Sequence, residues 1–456
     1  MNGKTLACPA FALLLPVLLT TGCGGESTDT KIVTEYQTNN VPVVAIDGTE
    51  QVVMESSFIL DGSASHDTDG TIEHWSWSQL DTGAPVAIIS DATTAIASIT
   101  APTTTVPVDL VFRLTVTDDK GASAEADFTI AIKPVFAFTP CSADDVSALP
   151  ASGVYPTQKI SDVIALCDGD ILVGNASNSR IEHVDLGTGA VTAYYELSAA
   201  PADMEFDSLR GLVYASMKGA TSVARLDLTS GLVDYIPVTG VPTGIAARHG
   251  NGVYIVSSSW PNSQVYWYDA NDVEHGPHPA SGNMIQLNQT LNQVITAARS
   301  SSPTTLYVYG FDNNGDMELV DSRSNVGGNS QTLKISPNDA HLVLVAGGGN
   351  AEGYGITDFY PSDLSSTFGE FTTGAYPTGG DFSSDSSRLA TSNGSSFLVY
   401  QVSNHAELFR ATPAISGCQY DDLDATYISR GGKIGIALQR CGYSKDTTNL
   451  HWYKLP

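Results

Sequence analysis

Between residues 41 and 133 the apolar positions fall in short alternating runs: Val41–Ala45, Ser57–Leu60, Thr71–Trp77, Ile96–Ile99, Leu110–Val116 and Ala126–Ile132. Gly, Pro, Asp and Thr turns separate them, and Pro134 closes the last. Alternation places every second side chain on one face, so six or seven such strands in about 90 residues predict a β-sandwich. Trp75 and Trp77 share a strand face, and at least one of them is expected to anchor the core. Gly62 and Gly70 are read as residues that permit tight turns.

From about residue 155 the pattern changes to a repeat. Arg180-Ile181-Glu182-His183-Val184-Asp185-Leu186-Gly187-Thr188-Gly189 is echoed by Ser222-Val223-Ala224-Arg225-Leu226-Asp227-Leu228-Thr229-Ser230-Gly231, and again near Gln264–Asp272, Thr305–Tyr309, Gly355–Phe359, Ser396–Tyr400 and Asn449–Tyr453. Aligned on Ile181, Val223, Val265, Leu306, Ile356, Phe397 and Leu450, the spacings are 42, 42, 41, 50, 41 and 53. A period near 42 with four short strands per unit predicts a β-propeller, and seven copies predict seven blades. The last copy reaches Pro456 after its third strand, so the segment near Gly153-Val154-Tyr155 is expected to supply the fourth and close the ring. The fold class is therefore all-β: a β-sandwich followed by a seven-bladed propeller.

Two families are resembled. Leu60-Asp61-Gly62-Ser63-Ala64-Ser65-His66-Asp67-Thr68-Asp69-Gly70-Thr71-Ile72, then Trp75-Ser76-Trp77, then Leu114-Thr115-Val116-Thr117-Asp118-Asp119-Lys120-Gly121, looks like a PKD-type immunoglobulin-like domain. The unit openings Ala200-Pro201-Ala202-Asp203, Val241-Pro242-Thr243-Gly244 and Tyr376-Pro377-Thr378-Gly379, each leading into an inner strand, resemble the YVTN and lactonase-like propellers. Fold follows from such a likeness; role does not, because this architecture hosts many.

The N-terminus reads as a targeting segment. Lys4 supplies the charge, and Leu6–Leu19 is apolar but short and broken by Pro9 and Pro16. Leu19-Thr20-Thr21-Gly22-Cys23-Gly24 is similar to a bacterial lipobox, which implies acylation of Cys23 and, with Gly24 following, an outer-membrane destination on the cell-surface or periplasmic side. The expected organisation is a lipoprotein signal peptide at 1–22, a flexible tether at 23–40, the PKD-like sandwich at 41–133, a linker with the ring-closing strand at 134–154, and the propeller at 155–456. After Cys8 and Cys23, four cysteines remain: Cys141, Cys167, Cys418 and Cys441. An even count in an exported chain suggests disulfides, with three connectivities open. Nearest-neighbour pairing is the most economical, and Cys418 and Cys441 flank an expected hairpin around Gly431-Gly432. No Cys/His spacing suits zinc.

Charge narrows the partners. Asp and Glu number 49 against 21 Lys and Arg, a net charge of −28. Nucleic acid and anionic lipid surfaces are disfavoured for the folded domains, whereas the lipid on Cys23 would provide the membrane attachment. A propeller's ligand site usually lies at the mouth of its channel. The residues entering the inner strands are Asp162, Asp203, Thr243, Asn283, Gln331, Thr378 and Asp421, with Glu205, Asp381, Asp422 and Asp424 nearby. The set is polar and acidic, with no Lys or Arg at those positions. It suits a cation or a polar ligand such as a glycan, or a water-filled channel whose side chains satisfy backbone groups. Asp67, Asp69 and Asp118 sit in loops expected at one end of the sandwich, where carboxylates ligate calcium or cap turns. None of the nine His falls on the channel-mouth register. Tyr266, Trp267, Tyr268, Trp452 and Tyr453 are candidates for an aromatic outer face or for packing between blades. These features favour a binding lipoprotein with a protein or glycan ligand, the propeller recognising and the sandwich acting as spacer or adhesive module. The alternatives are a lactonase-like hydrolase or lyase with a metal at the channel mouth, and a scaffold subunit of an outer-membrane complex.

Overall fold

A computed structural model describes residues 38–456 except 55, 81, 82, 84, 103, 105–107, 134–142, 260, 261, 300, 313–315, 347–355, 375, 414–422 and 442–446. The chain divides into two compact units between Pro134 and Val135.

The first unit is a sandwich of two four-stranded sheets. One orders Asp47–Gly48, Ser57–Asp61, Ile96–Thr100 and Ile88–Ser90; the other orders Gln51–Val53, Ser123–Lys133, Val108–Asp118 and Ile72–Gln79. Alternate residues of each sheet meet in one core: Phe58, Leu60, Ala97 and Ile99 from the first, Trp77, Leu110, Phe112, Leu114, Val116, Ile130 and Ile132 from the second. Trp77 is the buried anchor and gives its indole N–H to Thr94 O at 3.1 Å, while Trp75 packs at the core's margin. Val41–Ala45 differs from expectation: it makes only a single bridge, Val43 to His66, and the ladders there begin at Asp47 and Gln51. Gly62 and Gly70 serve close approach more than turning. A Cβ at Gly62 would come within 2.5 Å of Leu114 Cδ2, and one at Gly70 within 2.1 Å of Asp119 Oδ1.

The second unit is a seven-bladed propeller of four-stranded antiparallel sheets. The inner strands of blades 1 to 7 are Ile160–Ala165, Pro201–Asp207, Pro242–Arg248, Met284–Asn288, Ser330–Ile335, Gly380–Phe382 and Leu423–Ile428. Each lies against the next, and the seventh lies against the first. Second strands such as Leu212–Met217 and Leu342–Ala346 are buried almost throughout because neighbouring blades cover both faces, so they read as unbroken apolar runs. The seven residues that set the repeat all fall in third strands. The repeated Asp185 and Asp227 end those strands, Asp269 follows one, and all three cap their turns, accepting from the N–H of Gly187, Thr229 and Asn271 at 2.7 to 2.8 Å. The last tyrosine of several third strands holds the connection entering its blade. Tyr268 Oη accepts from Thr239 N, Tyr309 Oη accepts from Ser281 N, and Tyr400 Oη donates to Thr372 O. Gly244 and Gly379 are required by close approach: a Cβ would stand 2.8 Å from Asn283 O or 2.3 Å from Thr426 N of the following blade.

Blade 7 takes its outer strand from the start of the unit. Ser152–Gln158 pairs antiparallel with Thr447–Lys454, beginning before the boundary drawn at 155. Tyr155, Leu450, Leu438 and Trp452 of this blade share one core with Val163, Val173 and Val184 of blade 1. Cys167 is buried beside this join; Cys141, Cys418 and the side chain of Cys441 lie outside the described residues, as does Cys23. Leu450→Ala is expected to lower the unfolding free energy by about 2–5 kcal/mol, whereas Val154→Ala, on an exposed position of the partner strand, should stay within about 0.5 kcal/mol. Urea titrations followed by tryptophan fluorescence measure both.

Candidate functional site

The inner strands surround a channel cavity of about 860 Å³. Asp162, Asp203, Thr243, Asn283, Gln331 and Thr378 all line it, as do Glu205, Asp381 and Asp424; Asp421 and Asp422 lie outside the described residues. The residue types at the mouth were thus legible. The cations were not: Lys334, Arg299, Arg430 and Arg440 line the same cavity from positions other than the inner-strand entries, at which no Lys or Arg stands. Arg299, Arg430 and Arg440 lie outside the inner strands, and Lys334 is reached only past a β-bulge. Inner strands shift register between Pro201 and Asp203 and between Ser330 and Thr332, so Glu205 and Lys334 stand equivalently, two residues beyond their bulges.

An inner strand has no sheet partner on its channel side, so its free N–H groups need acceptors. The channel side chains supply them from the preceding blade. Asp162 Oδ2 accepts from Met204 N at 2.7 Å, Asp203 Oδ2 from Ile245 N at 3.2 Å, Gln286 Oε1 from Ile335 N at 3.4 Å, and Asp381 Oδ2 from Ile428 N at 3.1 Å. Asp162 Oδ1 also accepts from Tyr427 Oη at 2.7 Å. Polar mouth residues are engaged by backbone as well: Thr243 Oγ1 donates to Val256 O, Thr378 Oγ1 to Leu423 O of the next blade, Gln331 Nε2 to Asn329 O, and Asn283 Oδ1 accepts from Arg299 N.

Burial in the channel disfavours the charged forms of Asp162, Asp203 and Asp381. Burial pushes Asp162 up against the Tyr427 hydrogen bond, and burial with the neighbouring Asp162 and Glu205 pushes Asp203 up to about 8. Burial raises Asp381 as well, opposed by Lys334. Lys334 is pushed up first by Glu205, against desolvation, and then by Asp381, Asp162 and Asp203. Its Nζ stands 3.9 Å from Glu205 Oε1 and 3.7 Å from Asp381 Oδ1. Arg440 pairs with Asp424 at 2.8 Å. The acids are therefore held by backbone N–H groups and by internal cations.

A second cluster escaped the sequence reading. His341 Nδ1 and His405 Nε2 lie 3.0 and 3.3 Å from the same oxygen of Asp358, which is fully buried between blades 5 and 6. Phe368 and Phe371 pack against the two rings. Nothing in sequence spacing marks this cluster, since its members come from a turn, a third strand and the next blade. His183 and His451 lie in third strands, and His249 lines the channel near Gln289 and Asp339. Tyr266, Tyr268 and Trp452 are buried, Trp267 stacks on Tyr254 at 5.7 Å, and Tyr453 stacks on Phe397 of blade 6 at 5.6 Å, so the aromatic set packs within and between blades.

In the sandwich, Asp118 accepts from Asn39 Nδ2, Lys120 N and Ala122 N, and Asp69 from Asn40 N and Lys120 Nζ. Both Asp67 oxygens are buried without a hydrogen-bond partner, and one of them lies beside Gly70 with Asp119. Among the described residues no three His, Cys, Asp or Glu stand together in a way that would hold a metal.

Comparison with known proteins agrees with this architecture. Residues 48–132 match the family described as K319L-like, PKD domain. No curated protein matches the chain. Among solved structures, the β-propeller domain of Myceliophteria thermophila Cps50 (Swd1) aligns with a TM-score of 0.50 at 13% identity, covering 66% of this chain and 99% of that one. Kuenenia stuttgartiensis hydrazine synthase aligns at 0.47 and 13% identity, over 69% and 98%. The WD40 β-propeller domain of Doa1 aligns at 0.46 and 12%, over 66% and 96%. At such identities the likeness concerns fold alone.

Asp203 generates a pH test. An unfolded Asp titrates near about 3.9, and Asp203 in the folded chain near about 8. Between these values the folded chain binds the extra proton, so this group's contribution to stability falls as pH rises through that window. Asp203→Asn keeps an acceptor for Ile245 N and removes the charge. The variant is expected to exceed the wild type by about 1–2 kcal/mol near pH 9, with the gap closing towards pH 5; urea midpoints across pH measure it, and a gap independent of pH would refute the assignment.

Proposed function

We propose that this chain is a membrane-anchored lipoprotein with a binding role, in which the propeller is the recognition module and the PKD-like sandwich a spacer or adhesive module. The observation that carries the reading is the channel. Six of the residues expected to form a ligand-facing mouth converge on a cavity of small-ligand size, and its carboxylates are engaged by backbone and by Lys334. Such groups orient and select a polar partner. A metal at the mouth, which the hydrolase or lyase alternative requires, would have to displace the Lys334 ammonium.

The anchor follows from Cys23 and the lipobox-like run before it. A Cys141–Cys167 bridge belongs to the same proposal, supported by Cys167 being buried and not a free thiol; closing a loop of that size is worth roughly 3 kcal/mol in the chain-entropy model. In a bacterial host, alkynyl-palmitate should label the wild-type chain in the outer-membrane fraction, and Cys23→Ser should lose both label and membrane association. Surface crosslinking on intact cells then captures the partner. Recovery of the unmodified chain in the soluble fraction would reject the anchor, and capture unaffected by substitutions lining the channel would reject the propeller as the recognition module.

Calcium is proposed at the Asp67 loop, supported by the two unpartnered Asp67 oxygens beside Asp119. Thermal melting of the full chain should rise with calcium for the wild type and stay level for Asp67→Asn. A wild-type melting temperature that ignores millimolar calcium would reject this site.

A further inference from the structure

Each acid lining the channel among the described residues already has a partner in the wall. Asp162, Asp203 and Asp381 accept from backbone N–H groups of the following blade. Glu205 faces Lys334, Asp424 pairs with Arg440, and both Asp339 oxygens accept from the backbone of Gln289 and Thr290. The cations differ. Lys334 and Arg440 are paired, and Arg299 is exposed at the mouth, where solvent surrounds it. Arg430 has neither arrangement.

Arg430 stands two residues past the inner strand Leu423–Ile428 and lines the cavity at the end opposite the mouth. Its backbone is pinned on both sides: its N–H donates to Leu166 O of blade 1, and its carbonyl accepts from Ser384 N and Oγ of blade 6. The guanidinium lies over the Phe206 ring of blade 2, 5.6 Å from its centroid. Among the described residues it makes no hydrogen bond and no ion pair, and its Nε is buried without an acceptor. Burial pushes the group below the ordinary range of a guanidinium, with only the more distant Asp381 opposing. A desolvated cation without a counter-charge is costly, and a ring face offsets part of that cost. A neutral molecule could accept its N–H groups but would leave the charge uncompensated. An anion does both. The planar fork matches the two oxygens of a carboxylate. A phosphate dianion would meet the field of Asp381 more strongly, and the chain's net charge of −28 on approach.

We propose that the Arg430 end of the propeller channel binds a molecule through a single carboxylate group, with the guanidinium holding both oxygens and Phe206 fixing its plane. This rests on the recognition role proposed above for the propeller and names the chemistry of its ligand. The test is titration calorimetry of the full chain at pH 7 against three acids and their amides: benzoate and benzamide, glucuronate and glucuronamide, N-acetylalanine and its amide, with inorganic phosphate as the dianion. At least one acid is expected to bind about tenfold or more tightly than its amide, as a charged hydrogen-bonded pair predicts. Which acid responds separates a small organic acid, an acidic sugar and a peptide C-terminus. Arg430→Gln should weaken that acid about tenfold or more, while Arg410→Gln, whose guanidinium pairs with Glu407 on the outer strand of blade 6, leaves it unchanged. Because the Arg430 guanidinium ties no other group, Arg430→Gln should melt at or above the wild-type temperature; a melting point lowered by several degrees would show a structural counter-charge and overturn the proposal. Acids and amides that bind alike or not at all, phosphate tighter than every acid, or affinity indifferent to Arg430→Gln overturns it too. If partner capture on cells still depends on the channel in that case, the recognition role stands without this ligand.

Discussion

The propeller depends on satisfying inner-strand edges that no fifth strand covers. Seven inner strands face a common channel, and each presents N–H groups to it. Asp162, Asp203, Gln286 and Asp381 answer by reaching to the next blade's backbone. Carboxylates are strong acceptors for this purpose, but gathering them costs electrostatic repulsion. Protonation of Asp203 and the insertion of Lys334 relieve it. Ring geometry, pKa shifts and the channel lysine are therefore consequences of one need.

Much of this could be read from the sequence, for a physical reason. Third strands carry a pattern that chain position alone fixes: an apolar pair, a tyrosine that ties the preceding connection, and an Asp that caps the following turn. Tyr268, Tyr309 and Tyr400 with Asp185, Asp227 and Asp269 express it, so the period and the number of blades were visible. The missing strand of blade 7 was visible because a ring of sheets must close, and Ser152–Gln158 closes it.

What was hidden depended on register and on distance in sequence. A bulge displaces one residue without leaving a compositional mark, so reading mouth residues at fixed offsets reached Gln331 and missed Lys334. His341, Asp358 and His405 assemble from two blades, and each alone resembles an ordinary loop or strand residue. In the sandwich, Gly70 looked like a turn glycine, yet its role is to leave room where the carboxylates of Asp67 and Asp119 approach.

Overall charge and channel charge speak to different things. A net charge of −28 belongs to the chain as a whole and repels polyanions at long range. Within the channel, Asp162, Asp203, Glu205, Asp339, Asp381 and Asp424 meet Lys334, Arg299, Arg430 and Arg440, six acids against four cations, with the Asp203 proton drawing the balance closer to even. The two act at different ranges: the exterior charge acts on approach, whereas the paired charges of the channel hold the inner strands of neighbouring blades together through Asp162, Asp203 and Asp381.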